Sequence, residues 1–132
     1  MQIGGDAVVS GLLEILQDHN TPKQGRFQAV VALMKIKDTT AVPGLLRALQ
    51  QDEYSQVRRL SASALGELGG ATAIPQLREA LQDEDVQVRA SAALSLKSIG
   101  TQEALEALKS TGTSEALQAL EYGRVNLHKF TF

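Results

Sequence analysis

One phrase recurs along this chain. The run 41–50 (AVPGLLRALQ) returns at 73–82 as AIPQLREALQ. Gln56-Val57-Arg58, running on to Leu68-Gly69, returns as Gln87-Val88-Arg89, running on to Ile99-Gly100. A fixed period of this length is the mark of stacked structural repeats, and it constrains the fold more than any composition does. Each unit in such a stack touches only its neighbours, and the stack presents an extended surface.

Each unit reads as two helices. Thr40 precedes Ala41-Val42-Pro43 and Thr72 precedes Ala73-Ile74-Pro75. The threonine is expected to cap a helix whose first turn accepts proline without loss. Leu45, Leu46 and Leu49 form an apolar stripe at helical spacing, as do Leu77 and Leu81. An acidic turn follows, and the second helix is expected to stop at Gly69 or Gly100 in the left-handed conformation that glycine tolerates. Looser copies flank this pair. VVSGLLEILQ (8–17) matches the first-helix phrase, Asn20-Thr21-Pro22 opens a second helix through Lys37, and 104–108 and 115–120 give a shortened last pair. First helices start at Val8, Ala41, Ala73 and Ala104, intervals of 33, 32 and 31 residues. The expectation is an all-α, right-handed α-solenoid of about four antiparallel helix pairs. The units cover about 6–40, 41–72, 73–103 and 104–123, and an extended tail covers 124–132.

Thirteen basic against fifteen acidic residues give a net charge of −2, which lacks the basic field that nucleic acid or an anionic membrane attracts. There is no cysteine, so disulfides and thiolate metal sites are excluded. No run approaches the ~20 apolar residues of a membrane span, and the N-terminus lacks a secretory signal. These features suit a cytoplasmic protein.

The pattern Asp85…Val88-Arg89…Leu96…Ile99-Gly100, with Val57-Arg58…Leu65…Leu68-Gly69 before it, resembles the short HEAT-like repeat of phycobilisome-lyase type. The resemblance covers 41–100 well and the flanks loosely. It implies that the second helices line the concave surface and that the recurring arginine is structural. It also implies a link to phycobilin lyase subunits or to phycobilisome maturation and turnover.

Arg26, Arg58 and Arg89 hold one equivalent position. Each is expected to pair with carboxylates of the inter-helix turns, drawn from Asp18, Asp52, Glu53, Asp83 and Asp85, because a guanidinium engages a carboxylate with two hydrogen bonds. His19 and His128 stand far apart in sequence with no ligands at metal spacing, and the scattered serines have no base beside them. No catalytic residue, metal site or cofactor is expected. On a helical wheel, Arg59, Ser63 and Gly66 lie opposite the core, with equivalents Ala90, Leu94 and Lys97, and Phe27, Val31 and Met34. The helix 27–36 is apolar nearly all round and needs a cover. That cover is either the N-terminal helix and the curvature of the stack, or a partner or second copy.

The tail holds two of the three phenylalanines, Phe130 and Phe132, after an alternation of Val125 and Leu127 with polar residues. It is expected to dock, in the same molecule, in a second copy as a homodimer, or in a partner. The partner-binding set is then Phe27, Val31, Met34, Arg59, Ser63, Leu94, Phe130 and Phe132. The functional expectation is a non-enzymatic scaffold or adaptor for another protein, such as a phycobiliprotein or a second HEAT-like subunit. The resemblance supplies the alternative, a subunit or accessory factor of a phycobilin lyase system.

Overall fold

The computed structural model describes residues 3–129, and side chains within 6–121. In chain order the helices are α1 (Ile3–Gln17), α2 (Lys23–Ile36), α3 (Val42–Gln51), α4 (Ser55–Leu68), α5 (Ile74–Ala80), α6 (Val86–Ile99), α7 (Gln102–Thr111) and α8 (Ser114–Lys129). No strand occurs among the described residues. The helices pack as four successive pairs, α1/α2 to α7/α8, in one all-α solenoid with a single continuous core.

Local chemistry starts the helices, though not always through the expected residues. Pro43 and Pro75 stand in the first turns of α3 and α5. The chain enters both helices through a 3-10 turn, Thr39–Ala41 or Gly70–Ala73. Thr40 therefore caps nothing: it donates its own N–H to Asp38 at 2.9 Å, and Thr72 lies within the second 3-10 turn. Backbone carbonyls of the tighter turn take the place of a side-chain cap. Thr101 does cap α7, accepting from the Ala104 N–H.

The glycine stops divide in the same way. Gly100 closes α6 at φ 67, as expected. Gly69 is right-handed at φ −83, and Gly70 takes the positive φ of 52. Gly69 is required for space instead, since a Cβ there would lie 2.6 Å from the Ala73 Cβ and 2.9 Å from the Leu65 carbonyl oxygen. At the C-terminus, α8 runs on to Lys129 where an extended chain from 124 was expected. Gly123 costs a helix about 1 kcal/mol, and no proline follows to stop it. Phe130 and Phe132 lie outside the described residues.

The core is aliphatic and shared between neighbouring units. Leu33, Leu45, Leu65, Leu77, Leu81, Leu96 and Leu108 are fully buried, and Ala29, Ala62, Ala64, Ala92, Ala93 and Ala107 let the helices approach between them. Truncating one such leucine to alanine costs about 2–5 kcal/mol. The second helices α2, α4, α6 and α8 pack more closely on one another than the first helices do. Closer spacing in one layer curves the stack toward that layer, so the second helices form its inner face. The tightest seam is α4 on α6. A Cβ on Gly66 would sit 2.9 Å from the Ser95 Cα, and Ser95 Oγ donates to the Ala62 carbonyl at 2.7 Å.

Candidate functional site

The three periodic arginines form a ladder that runs between units. Arg26 on α2 donates through Nε and Nη2 to Asp52 at 2.8 and 3.1 Å. Arg58 on α4 donates the same two groups to Asp83 at 3.0 and 3.1 Å. Arg89 on α6 reaches Glu115, at the start of α8, at 3.0 Å. In each case the carboxylate belongs to the following unit. The remaining Nη1 turns back to the unit's own inter-helix turn. Arg26 donates there to Thr21, Arg58 to the carbonyls of Asp52 and Glu53, and Arg89 to those of Asp83 and Glu84.

The sequence placed these arginines correctly but assigned each the acids of its own inter-helix turn, whereas all three carboxylates come from the following unit. Their own turns supply only carbonyls. Asp52 and Asp83 each accept from a turn N–H two residues on, of Tyr54 and of Asp85, while holding the preceding arginine. Asp18 accepts from the Asn20 N–H in the same way. Asp85 is no rung. It is the cap of α6, accepting from the N–H groups of Gln87 and Val88. Burial pushes the Asp85 carboxyl up, but the Val88 and Gln87 amides, the Ser55 hydroxyl and the Arg58 charge together hold it below the ordinary value.

Bonding fixes the charge state of the rungs. The hydrogen bonds to Asp52 and Asp83 hold the Arg26 and Arg58 guanidiniums protonated, above their ordinary value. The Arg89 hydrogen bond holds the Glu115 carboxyl below its ordinary value. The side chains of Arg58 and Asp83 are 10% and 14% exposed. On Arg26 and Arg58 all of Nε, Nη1 and Nη2 are engaged and little surface is open, so these two rungs join units and leave little of themselves to a ligand.

The open surface lies beside it, on the inner face. Leu94 on α6 is 57% exposed, at the centre of the second-helix layer. On one side, Ser63, Gly66 and Glu67 of α4 and Ser91, Ser95 and Ser98 of α6 line a shallow depression of about 200 Å³. On the other, Ala90, Leu94, Gln118 and Ala119 line one of about 180 Å³ between α6 and α8. Leu94 is thus an apolar ridge between two troughs walled by small and uncharged side chains, with a carboxylate at the edge of each, Glu67 or Glu115. The structure brings together Ser63 and Leu94 of the expected binding set. Phe27, Val31 and Met34 are half-buried, and Phe27 and Met34 pack against the core of α2 and its neighbours. Arg59 is half-buried as well. Ser91, Ser95 and Ser98 were not anticipated. Their i, i+4 and i+7 spacing along one helix face was the available signal.

Among the described residues no group of three or more His, Cys, Asp or Glu could hold a metal ion, and no helix is long and apolar enough to cross a membrane.

Comparison with known proteins agrees with this architecture. Residues 2–66 and 42–121 match the family model described as HEAT repeats. The chain is 39% identical over 79 residues, 55% of its length, to the phycocyanobilin lyase subunit alpha of a Picosynechococcus species, of which it spans 30%. It is 32% identical over 100 residues, 74% of its length, to human deoxyhypusine hydroxylase, of which it spans 33%. It is 27% identical over 96 residues, 70% of its length, to a phycocyanin operon protein of Pseudanabaena tenuis, of which it spans 23%. In all three the chain covers a third of the relative's length or less.

Proposed function

The chain belongs to the HEAT-repeat family, and from that premise we propose that it is a protein-binding scaffold whose contact surface is the inner face of α4, α6 and α8. The observation that carries this reading is Leu94, more than half exposed in the middle of the layer and flanked by two troughs. A contiguous apolar feature rimmed by polar groups is the usual form of a protein contact site. Small side chains on both sides allow a partner segment to approach the helices closely, and Leu94 supplies a central anchor of the kind that dominates interface energies. The arginine ladder supports this role indirectly, because it fixes the spacing of the helices that form the face.

The partner class proposed is a phycobiliprotein subunit, a reading supported by the resemblance to a phycocyanobilin lyase subunit and a phycocyanin operon protein. The test is binding of purified apo-phycocyanin subunits to immobilised chain. Saturable binding that Leu94→Glu weakens at least tenfold supports the scaffold reading. Binding untouched by Leu94→Glu, or no binding at high micromolar concentration, overturns it.

The second reading, an accessory subunit of a phycobilin lyase system, rests on the 39% identity to the alpha subunit. It is separated by adding phycocyanobilin to the same mixture. Growth of a covalent, acid-stable visible absorbance that depends on the chain favours the lyase reading. Binding without any chromophore attachment favours the scaffold.

A further inference from the structure

Granting the inner-face reading, we infer that the segment seated there is an acidic amphipathic helix of the partner, whose carboxylate pairs with Arg59. Arg59 is an exception among the charged side chains that are not exposed. The ladder arginines and their carboxylates bond one another. Asp38 and Asp85 accept from backbone amides, and Lys97 donates to a carbonyl. Arg59 is half-buried too, yet among the described residues it has no hydrogen bond and no ion pair.

Register places Arg59 on the inner face. Its equivalents are Phe27 and Ala90, and Ala90 lines the depression between α6 and α8. Arg59 therefore stands at the matching place on α4. It lies one helical turn before Ser63, which lines the α4/α6 depression beside Leu94. The same register puts Lys23, Lys35 and Glu67 at inner positions of α2 and α4, with Lys23 over the Tyr54 ring at 4.6 Å. Three cations against one carboxylate make this half of the face basic, on a chain whose net charge is −2. A local field of that sign favours an acidic partner and speeds its encounter.

Covering the face changes what Arg59 needs. In the free chain, water solvates the open part of the guanidinium. A partner that expels this water without offering an acceptor leaves a buried, unpaired charge, which is costly. A carboxylate removes the cost, because the guanidinium fork takes it with two hydrogen bonds. Leu94 adds a second demand. Ser63 and Leu94 are equivalents on neighbouring helices, whose axes lie about 8–10 Å apart. Arg59 is a further ~6 Å along α4. Arg59 and Leu94 are thus about 11 Å apart, the span of two turns of a helix. A glutamate and a leucine two turns apart on one helical face therefore meet both. A helix also brings its own backbone hydrogen bonds, so the face need supply none. A bare phosphate chain answers Arg59 but leaves Leu94 uncovered.

Two synthetic helical peptides test the inference. They are identical except at the residue two turns before a leucine, which is glutamate in one and lysine in the other. Each is titrated at low salt into the isotope-labelled full chain and followed by NMR. The glutamate peptide is expected to bind at least tenfold more tightly, to shift the Arg59 Nε resonance and the α4 and α6 amides, and to weaken as salt rises. Arg59→Glu is expected to reverse the preference and Arg59→Gln to remove it, both with unchanged helical circular dichroism. Equal affinity for the two peptides, a preference that survives Arg59→Glu, or no shift in α4 and α6 with either peptide overturns the inference. If Leu94→Glu leaves the glutamate peptide's affinity unchanged while the Arg59 variants abolish it, the Leu94 anchor of the scaffold reading fails and the acidic contact stands.

Discussion

The α4/α6 seam and the two seams beside it share a register, and one position at which they differ bears on their packing. Gly66, Met34 and Lys97 are equivalents. At Gly66 the next helix comes close enough for the Ser95 hydroxyl to bond the Ala62 carbonyl. At Met34 the side chain is half-buried against the core. At Lys97 the ammonium donates to the Leu120 carbonyl at 3.5 Å. The α4/α6 pair packs more intimately than α2/α4 or α6/α8. The absence of a side chain at Gly66 thus goes with the closest pairing in the layer that carries Leu94. The arginine rungs are common to all three seams and hold them whatever the spacing.

The largest effect should come from cutting a rung. Arg58→Ala leaves Asp83 sheltered and unpaired, which for a buried pair costs about 3–5 kcal/mol. Arg89→Ala should cost less, because the Arg89 side chain is 26% exposed against 10% for Arg58. Urea unfolding of both variants measures the order, and an equal loss would break the comparison between the middle and last seams.

Gly66→Ala comes next. In an ordinary helix this change gains about 1 kcal/mol. Here the new Cβ meets Ser95 backbone as well as side chain. Overpacking of this kind costs about 1–3 kcal/mol, so the sign should reverse. A stabilised Gly66→Ala would show that the seam is looser than described.

Two hydroxyls sharpen the same comparison at smaller scale. Ser95→Ala loses the bond to Ala62 and should cost about 0.5–1.5 kcal/mol. Ser61 is fully buried and its hydroxyl has no hydrogen-bond partner. Its equivalents are Ala29 and Ala92, so Ser61→Ala should stabilise by about 1 kcal/mol. Thermal melts of the pair should shift in opposite directions.

The smallest effect is the acid response of the last rung. Glu115 titrates below its ordinary value of 4.5 because Arg89 bonds its charged form. Its contribution is therefore complete above the unfolded-state value and fades as pH falls through the lower folded value. Wild type should lose more stability than Glu115→Gln over that acid range, as measured by urea midpoints.

Much of this was legible in the residues. The period, the two-helix unit, the proline starts and the arginine positions all lie in local pattern, and the structure keeps them. The errors share a physical cause. Acids recur with the same period as the arginines, so the unit's own turn and the next one look alike in sequence, and only three-dimensional stacking shows that Asp83 serves Arg58. Gly69 and Gly70 are adjacent, and local pattern does not show that Gly70 takes the positive φ while Gly69 is needed for its closeness to Ala73 and Leu65. Thr40 stands where a cap belongs, but a 3-10 turn intervenes and Asp38 takes over. At the candidate site, Ser63 and Leu94 were visible as residues opposite the core. The serines of α6 were not, because small polar side chains carry no hydrophobic signal.

The central claim is that the ladder holds the stack while the inner face meets the partner. It is tested most directly by measuring stability and apo-phycocyanin affinity on the same two variants, Arg58→Ala and Leu94→Glu. Surface changes rarely move stability beyond about 0.5 kcal/mol. Leu94→Glu should therefore keep the wild-type urea midpoint and lose affinity at least tenfold. Arg58→Ala should lower the midpoint sharply while its folded fraction binds within about threefold of wild type. Normal stability with lost binding in Arg58→Ala, beside unchanged binding in Leu94→Glu, would contradict the account and make the arginines the ligand site.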